Sequence, residues 1–227
     1  MHEQPPGHRG LTVKLRTARG RTTASQKWLQ RQLNDPYVRA AQQQGLRSRA
    51  AFKLMELDDR FRLLRRGAKV LDLGAAPGGW SQVAVGRGAH VVGVDLLQVE
   101  PIAGATLLQG DFNEDGMQER LRALMGGNAD LVLSDMAPNT TGHNATDHVR
   151  IVALAQEAAV FALEMLKPGG GFVAKVFQGG TERQMLDALK KHFAQVRHAK
   201  PQASRKESSE LYVVATGFRA ARALETA

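Results

Sequence analysis

The chain predicts an α/β fold, a mostly parallel sheet with one reversed strand near its C-terminus, preceded by a basic arm. Three observations lead there. From residue 69 onward, short apolar runs alternate with helical stretches. Near the end the alternation stops, because QVRHAK (195–200) and ELYVVATGF (210–218) are separated only by a polar segment. Finally, nearly all the excess positive charge lies in the first fifty residues.

Taken in order, residues 1–33 show no sustained periodicity and are expected to be a flexible basic arm. Helical spacing begins at Asp35 and runs to Arg66, with Leu46, Ala50, Phe52, Leu54, Leu57 and Phe61 as its apolar positions. Strands are expected at 69–74, 90–95, 106–110, 129–134 and 171–177, and helices at about 79–86, 115–125, 147–166 and 181–193. Strand–helix alternation implies parallel strands covered on both faces. The last two runs have no helix between them and pair antiparallel. One domain over 34–220 follows, with a disordered tail at 221–227.

Residues 1–50 hold ten Lys/Arg against two acids, a net of +8, whereas the remaining 177 hold 21 basic and 20 acidic residues. An arm of this kind reads as a polyanion contact, since each neutralised phosphate releases counterions. A solubilising tail is the blander alternative. The arm has no long apolar face for a membrane, and no run of about 18 uncharged apolar residues or signal-like segment occurs. A cytoplasmic protein is expected. Cysteine is absent, which excludes disulfides, thiolate metal sites and the covalent cysteine adduct used for carbon-5 pyrimidine methylation.

LDLGAAPGGW falls at a strand-to-helix turn. Gly74 lets the chain leave the strand tightly, and Gly78 and Gly79 let backbone approach a ligand. Asp95 ends the next strand, placed to accept from both hydroxyls of a ribose, and Asp111 ends the third strand at the same carboxyl edge. A nicotinamide dinucleotide and S-adenosylmethionine both suit a loop followed by a ribose-binding acid. The spacing GAAPGG, rather than G-x-G-x-x-G, argues against a pyrophosphate. Asp111 suits an adenine amino group, and a terminal antiparallel pair is common in methyltransferase sheets, a fold-level analogy. S-adenosylmethionine is the expected cofactor. Trp80 suits either its methionine end or a buried helix start.

After the fourth strand comes LSDMAP (133–138), which has no aromatic to stack a base, so a base amine is not the expected target. In FVAKVF, Lys175 is costly in an apolar strand unless paired. Lys53 alone reads as a solvated helix lysine, and Glu210 alone as an edge-strand carboxylate. The histidines show no metal-ligand spacing; His143 and His148 stand closest to the expected site and receive no role.

The runs GLRSRAAFKL, LDLGAAPGGWSQV, GVDLL, LLQGDF, SDMAPN, KPGGGFVAKVFQG and SRKESSELYVVATG together resemble the FtsJ/RrmJ (RlmE) family of heat-shock ribosomal RNA 2′-O-methyltransferases, from about Ala24 to Phe218. The first twenty-odd residues and the alanine-rich tail match nothing diagnostic. The resemblance implies a Rossmann-like S-adenosylmethionine-dependent methyltransferase fold. It places a catalytic Lys-Asp-Lys-Glu tetrad on Lys53, Asp135, Lys175 and Glu210, the last preferred to Glu207 by its spacing to LYVVATG. Cofactor contacts fall on Gly78, Trp80, Asp95, Asp111 and Asp135. It also implies a uridine in the A loop of large-subunit rRNA within the assembled 50S subunit, S-adenosylhomocysteine as product, and no metal.

The chemistry is consistent with that tetrad. A ribose 2′-hydroxyl is a weak nucleophile until it loses its proton, so oxygen, methyl carbon and sulfur must be aligned and deprotonation assisted. Lys175 is the residue expected at the hydroxyl, with Lys53 as a second cation. A neighbouring cation and burial lower a lysine pKa, while Asp135 and Glu210 raise it. Lys175 as neutral base and Lys175 as oxyanion-stabilising cation both stay open. A tRNA 2′-O-methyltransferase, a non-catalytic RNA-binding assembly factor and a nicotinamide-dependent dehydrogenase are the rival readings. The expected partner is the large ribosomal subunit, bound through the arm, and a monomer is the expected state.

Overall fold

The computed structural model describes residues 22–137, 144–177 and 183–219. Most of the basic arm (1–21), His143, the side chain of His148 and the tail 221–227 lie outside the described residues. Seven strands form one sheet: β1 (Lys69–Leu73), β2 (His90–Asp95), β3 (Ala105–Gln109), β4 (Ala129–Ser134), β5 (Leu166–Phe177), β6 (Phe193–Ala199) and β7 (Glu210–Phe218). Their order is β3-β2-β1-β4-β5-β7-β6. Every pairing from β3 to β5 is parallel, and β7 runs antiparallel to both its neighbours. One strand is therefore reversed, as the missing helix between the last two runs predicts.

The helices are α1 (Thr23–Asn34), α2 (Pro36–Gln43), α3 (Ala50–Phe61), α4 (Gly79–Gly86), α5 (Met117–Met125), α6 (Asn144–Met165) and α7 (Arg183–His192). Ordered structure thus begins within the stretch read from sequence as a flexible arm. Its ends, rather than an apolar stripe, mark α1: Thr22 accepts from the Ser25 N–H, and Asp35 opens the next helix by accepting from Tyr37 N–H at 3.0 Å, with Pro36 in its first turn. The helical spacing over 35–66 resolves into two helices, because Gly45 at φ 65° ends the first. Strand β5 starts five residues before the predicted run: Leu166 pairs with Ala129, an irregularity follows, and Gly171 resumes opposite Leu131.

Both faces of the sheet are buried. One core contains Leu71, Leu73, Phe161, Phe172, Ala174 and Val213 beneath α5, α6 and α7. The other contains Leu54, Leu57, Trp80, Val173, Tyr212 and Val214 beneath α3 and α4. Residues 173 and 175 share a face of β5, as do 210, 212 and 214 of β7. That period of two decides which side chains meet α3. The strand order reverses between β1 and β4, so the carboxyl ends of those strands open a crevice.

Candidate active site

At the crevice, Leu73 pairs with Ser134, and the Asp135 N–H donates to Leu73 O at 3.1 Å. The exits of β1 and β4 are so close that a Cβ on Gly74 would lie 2.8 Å from Met136 N. With φ at 82°, Gly74 meets two requirements at once, a left-handed backbone and close contact. A cavity of about 250 Å³ opens beside it, lined among others by Gly74, Asp95, Leu96, Asp111, Met136 and Leu154. Three of the sequence-predicted cofactor residues therefore share one cavity.

The acids are preset by backbone. Asp95 Oδ2 accepts from the Ala76 N–H at 2.9 Å and Oδ1 from Leu97 N–H at 2.8 Å, which ties the glycine-rich loop to the end of β2. Asp111 is exposed, and its Oδ1 accepts from Asn113 N–H at 2.9 Å. Gly78, Gly79 and Trp80 are placed differently. They are buried behind the loop, the glycines facing Arg47 and Ser48. The Trp80 indole donates to Ala50 O at 2.8 Å and packs on Tyr212, ring centroids 5.6 Å apart. Trp80 is thus a wall between α3 and the sheet.

Beyond Asp135 the four predicted catalytic residues come together. Lys175, on β5, is 9% exposed and donates to Asp135 O at 2.6 Å and pairs with Asp135 Oδ1 at 3.1 Å. Lys53, on α3, is 8% exposed and pairs with Glu210 Oε1 at 2.7 Å. Glu207, the neighbouring acid, is exposed. Ser204 O–H donates to Glu210 Oε1 at 2.8 Å, and the Glu210 N–H donates to Ser208 Oγ at 3.1 Å.

The two ion pairs are joined by Tyr212, which residue-by-residue reading missed. Lys53 Nζ donates to its hydroxyl at 3.1 Å, and that hydroxyl donates to Asp135 Oδ1 at 2.9 Å. The result is one chain, Glu210–Lys53–Tyr212–Asp135–Lys175. Sequence held a signal for it: in ELYVVATG, Tyr212 stands two residues from Glu210 and so shares its face.

Charge within the cluster is balanced, two cations against two carboxylates. Burial pushes the Asp135 carboxyl up, but Lys175, then Lys53 and the Tyr212 hydrogen bond, outweigh it and hold the pKa below its ordinary value. Burial, then the Asp135 and Glu210 charges, drives the Tyr212 phenol well above its usual range, so it stays a donor. Below the cluster, Asp72 is completely buried. Its Oδ2 accepts from Ser81 O–H at 2.6 Å, while Oδ1 has no partner among the described residues. Burial first, then the charges of Asp135 and Asp95, raise its pKa to about 7 against the lowering effect of Ser81.

A second network carries the surrounding loop. Asp35 Oδ2 pairs with Arg49 at 3.0 Å and Arg205 at 3.4 Å, and Arg49 also donates to Ala203 O. Glu56 accepts from the Gln202 and Ala203 N–H groups. These contacts fasten the β6–β7 connection to α2 and α3, and so deliver Ser204 to Glu210. Among the described residues no group of His, Asp and Glu is arranged to hold a metal ion, and no helix is long and apolar enough to cross a membrane.

Comparison with known proteins identifies the family of the chain. Residues 46–218 match the FtsJ-like methyltransferase family. A Granulibacter bethesdensis protein named ribosomal RNA large subunit methyltransferase E is 69% identical over 218 residues, covering 95% of this chain and 95% of the relative. A Gluconobacter oxydans protein of the same name is 65% identical over 219 residues, covering 96% and 82%. The crystal structure of a Plasmodium falciparum protein described as a ribosomal RNA methyltransferase aligns with a TM-score of 0.68 at 28% identity, covering 76% of this chain and 98% of that one. The matched segment runs from just before Lys53 to the end of β7, and the chain belongs to the FtsJ-like methyltransferase family.

Proposed function

We propose that this methyltransferase uses S-adenosylmethionine to methylate a ribose 2′-hydroxyl of large-subunit ribosomal RNA, at a uridine of the A loop in the assembled subunit. The observation that carries the reading is the position of Lys175: a buried strand lysine, held twice by Asp135, at the mouth of a crevice whose other side is the Gly74–Asp95–Asp111 cavity. The cavity fits the cofactor, since two strand-end acids suit ribose and adenine and Gly74 keeps the wall free of side chain. When bound, S-adenosylmethionine supplies an electrophilic methyl group.

Every other step falls to the chain's own residues. Asp135 uses its backbone carbonyl and one carboxylate oxygen to aim Lys175 Nζ, and among the described residues the third tetrahedral position of that nitrogen is left for the 2′-hydroxyl. Lys175 orients that hydroxyl and assists loss of its proton. Lys53, held by Glu210 and Tyr212, is the second cation near the developing alkoxide. The LSDMAP motif carries no aromatic to stack a base, in keeping with a sugar target. Relatives at 69% and 65% identity that are named for the large subunit support the RNA class. The basic N-terminal residues, including exposed Arg31 and Arg39, would meet its phosphates, as befits a cytoplasmic enzyme working on ribosomes.

The test is transfer of labelled methyl from S-adenosylmethionine to large subunits lacking native methylation, beside free rRNA and tRNA, with Lys175→Ala as control. Label on subunits, giving one nucleotide resistant to alkaline cleavage and lost in the variant, is the expected result. Label confined to tRNA would overturn the substrate; no label on any RNA would overturn the catalytic reading.

A further inference from the structure

Arg47 lies outside the tetrad and does not line the cofactor cavity, yet its guanidinium joins the two walls of that cavity from behind. Nη1 donates to Glu100 O at 2.6 Å and to Pro77 O at 3.4 Å, and Nη2 donates to Pro101 O at 2.8 Å. Pro77 belongs to the glycine-rich loop. Glu100 and Pro101 belong to the β2–β3 connection, which starts at Asp95 and presents Leu96 to the cavity. On the inner side, the same two segments are joined by the Ala76 N–H to Asp95 Oδ2. The loop is therefore strapped to the ribose-binding segment twice, once by a cavity residue and once by Arg47.

The strap is anchored at its own root. Arg47 N–H donates to Gln82 Oε1 at 3.0 Å, and Gln82 Nε2 donates to Gly45 O at 2.8 Å. Gln82 stands in α4, the helix that the glycine-rich loop opens, so backbone 45–47, α4 and the β2–β3 connection form a closed triangle. The loop's glycines accommodate it. A Cβ on Gly78 would sit 2.9 Å from Arg47 Nη1, and one on Gly79 would collide with Ser48 Oγ. Arg47 and Ser48 thus fill the space behind those glycines and leave the loop little room to retreat.

We propose that Arg47, seated by Gln82, is a positioning residue for the cofactor: it sets the separation between the glycine-rich loop and the Asp95 segment. The inference rests on the cofactor reading above but not on the RNA substrate. A planar guanidinium reaching carbonyls on two segments is a task a lysine performs poorly, because its single nitrogen cannot span them with the same geometry.

The experiment is titration of S-adenosylhomocysteine by calorimetry, without RNA, for the full chain and for Arg47→Ala, Arg47→Lys and Gln82→Ala, alongside melting temperatures and steady-state kinetics. Expected is a rise in Kd of about tenfold for Arg47→Ala, the scale of one or two lost hydrogen bonds to a charged group. KM for S-adenosylmethionine should rise in parallel with kcat at saturating donor retained, and Arg47→Lys should recover only part of the affinity. Should Arg47→Ala fail to fold, the Lys and Gln82 variants carry the test. An unchanged Kd with a higher KM for RNA and a flatter salt dependence would make Arg47 a phosphate contact and overturn the proposal. An unchanged Kd with only a lower melting temperature would make it a packing residue and overturn it too. Failure of the unmodified chain to bind S-adenosylhomocysteine would instead overturn the cofactor reading itself.

Discussion

Lys175 and Tyr212 face each other across the antiparallel β5–β7 pair, and both reach the same atom, Asp135 Oδ1, at 3.1 and 2.9 Å. Directly opposed residues of an antiparallel pair project to one face, so their meeting is a consequence of register. Reversal of β7 is what makes it possible. Two residues along the same strand face, Glu210 holds Lys53, and the buried charge cluster becomes a single connected chain.

Replacing Lys175 by Met should slow turnover sharply while sparing cofactor binding. The side chain keeps its bulk, but Asp135 loses the largest influence holding its pKa down. A loss of about a thousandfold in kcat is expected, within the usual range of a general acid–base group. Single-turnover methyl transfer measures it; Lys175→Arg restoring activity would show that any cation suffices and defeat the assigned role.

Tyr212→Phe should cost far less. Asp135 keeps Lys175, and Lys53 keeps Glu210, so each partner of the lost hydroxyl retains another. The lost hydroxyl gives up two hydrogen bonds, from Lys53 and to Asp135, each involving a charged group, so a stability loss of about 2–3 kcal/mol is expected, with kcat reduced by no more than roughly tenfold. A thousandfold loss would mean that the chain acts as a unit and that Tyr212 is as necessary as Lys175.

Gly74→Ala should impair cofactor binding and folding together. Its Cβ would meet Met136 N, Cα and Cγ at 2.8 to 2.9 Å, and φ at 82° strains any side chain. Backbone on both sides leaves no easy relief, so destabilisation of about 2 kcal/mol or more is expected in urea denaturation. A variant with wild-type stability and affinity for S-adenosylhomocysteine would contradict the close approach of β1 and β4.

Asp72 gives the ligand-free protein a pH-dependent stability of unusual sign. Its pKa is raised to about 7, whereas an unfolded aspartate titrates near 3.9. Between those values the folded state holds a proton that the unfolded state has released, so stability falls as pH rises through this window and levels off above it. Asp72→Asn removes that slope. Relative to wild type, the variant should gain ~2–3 kcal/mol between pH 5 and pH 8, from about 1.4 kcal/mol per pH unit. A stability difference that is the same at both pH values would refute it.

Much of this molecule was legible in the chain. Alternation of Val- and Leu-rich runs with helical spacing determined a parallel sheet, and the bare link between β6 and β7 determined its reversed strand, because short-range patterning is set by which faces must leave water. Spacing also singled out Gly74, Asp95 and Asp111, since a ligand at a sheet edge draws on residues that end consecutive strands. Lys175 announced itself as a charge in an apolar strand. What only tertiary structure decided is contact between residues distant in the chain. Helix α1 escaped notice because its ends, rather than an apolar stripe, mark it. Trp80, predicted to touch the cofactor or to be buried, is turned to Ala50 and Tyr212 by the packing of α3 on α4. Tyr212 looked like any strand tyrosine until the β5–β7 register set it between Lys53 and Asp135, which are 82 residues apart in the chain. Arg47 looked like one more charge of a basic arm, yet three carbonyls from two other segments surround it. Periodicity reports whether a side chain is buried, but its partners depend on register and packing angle, which no local window contains.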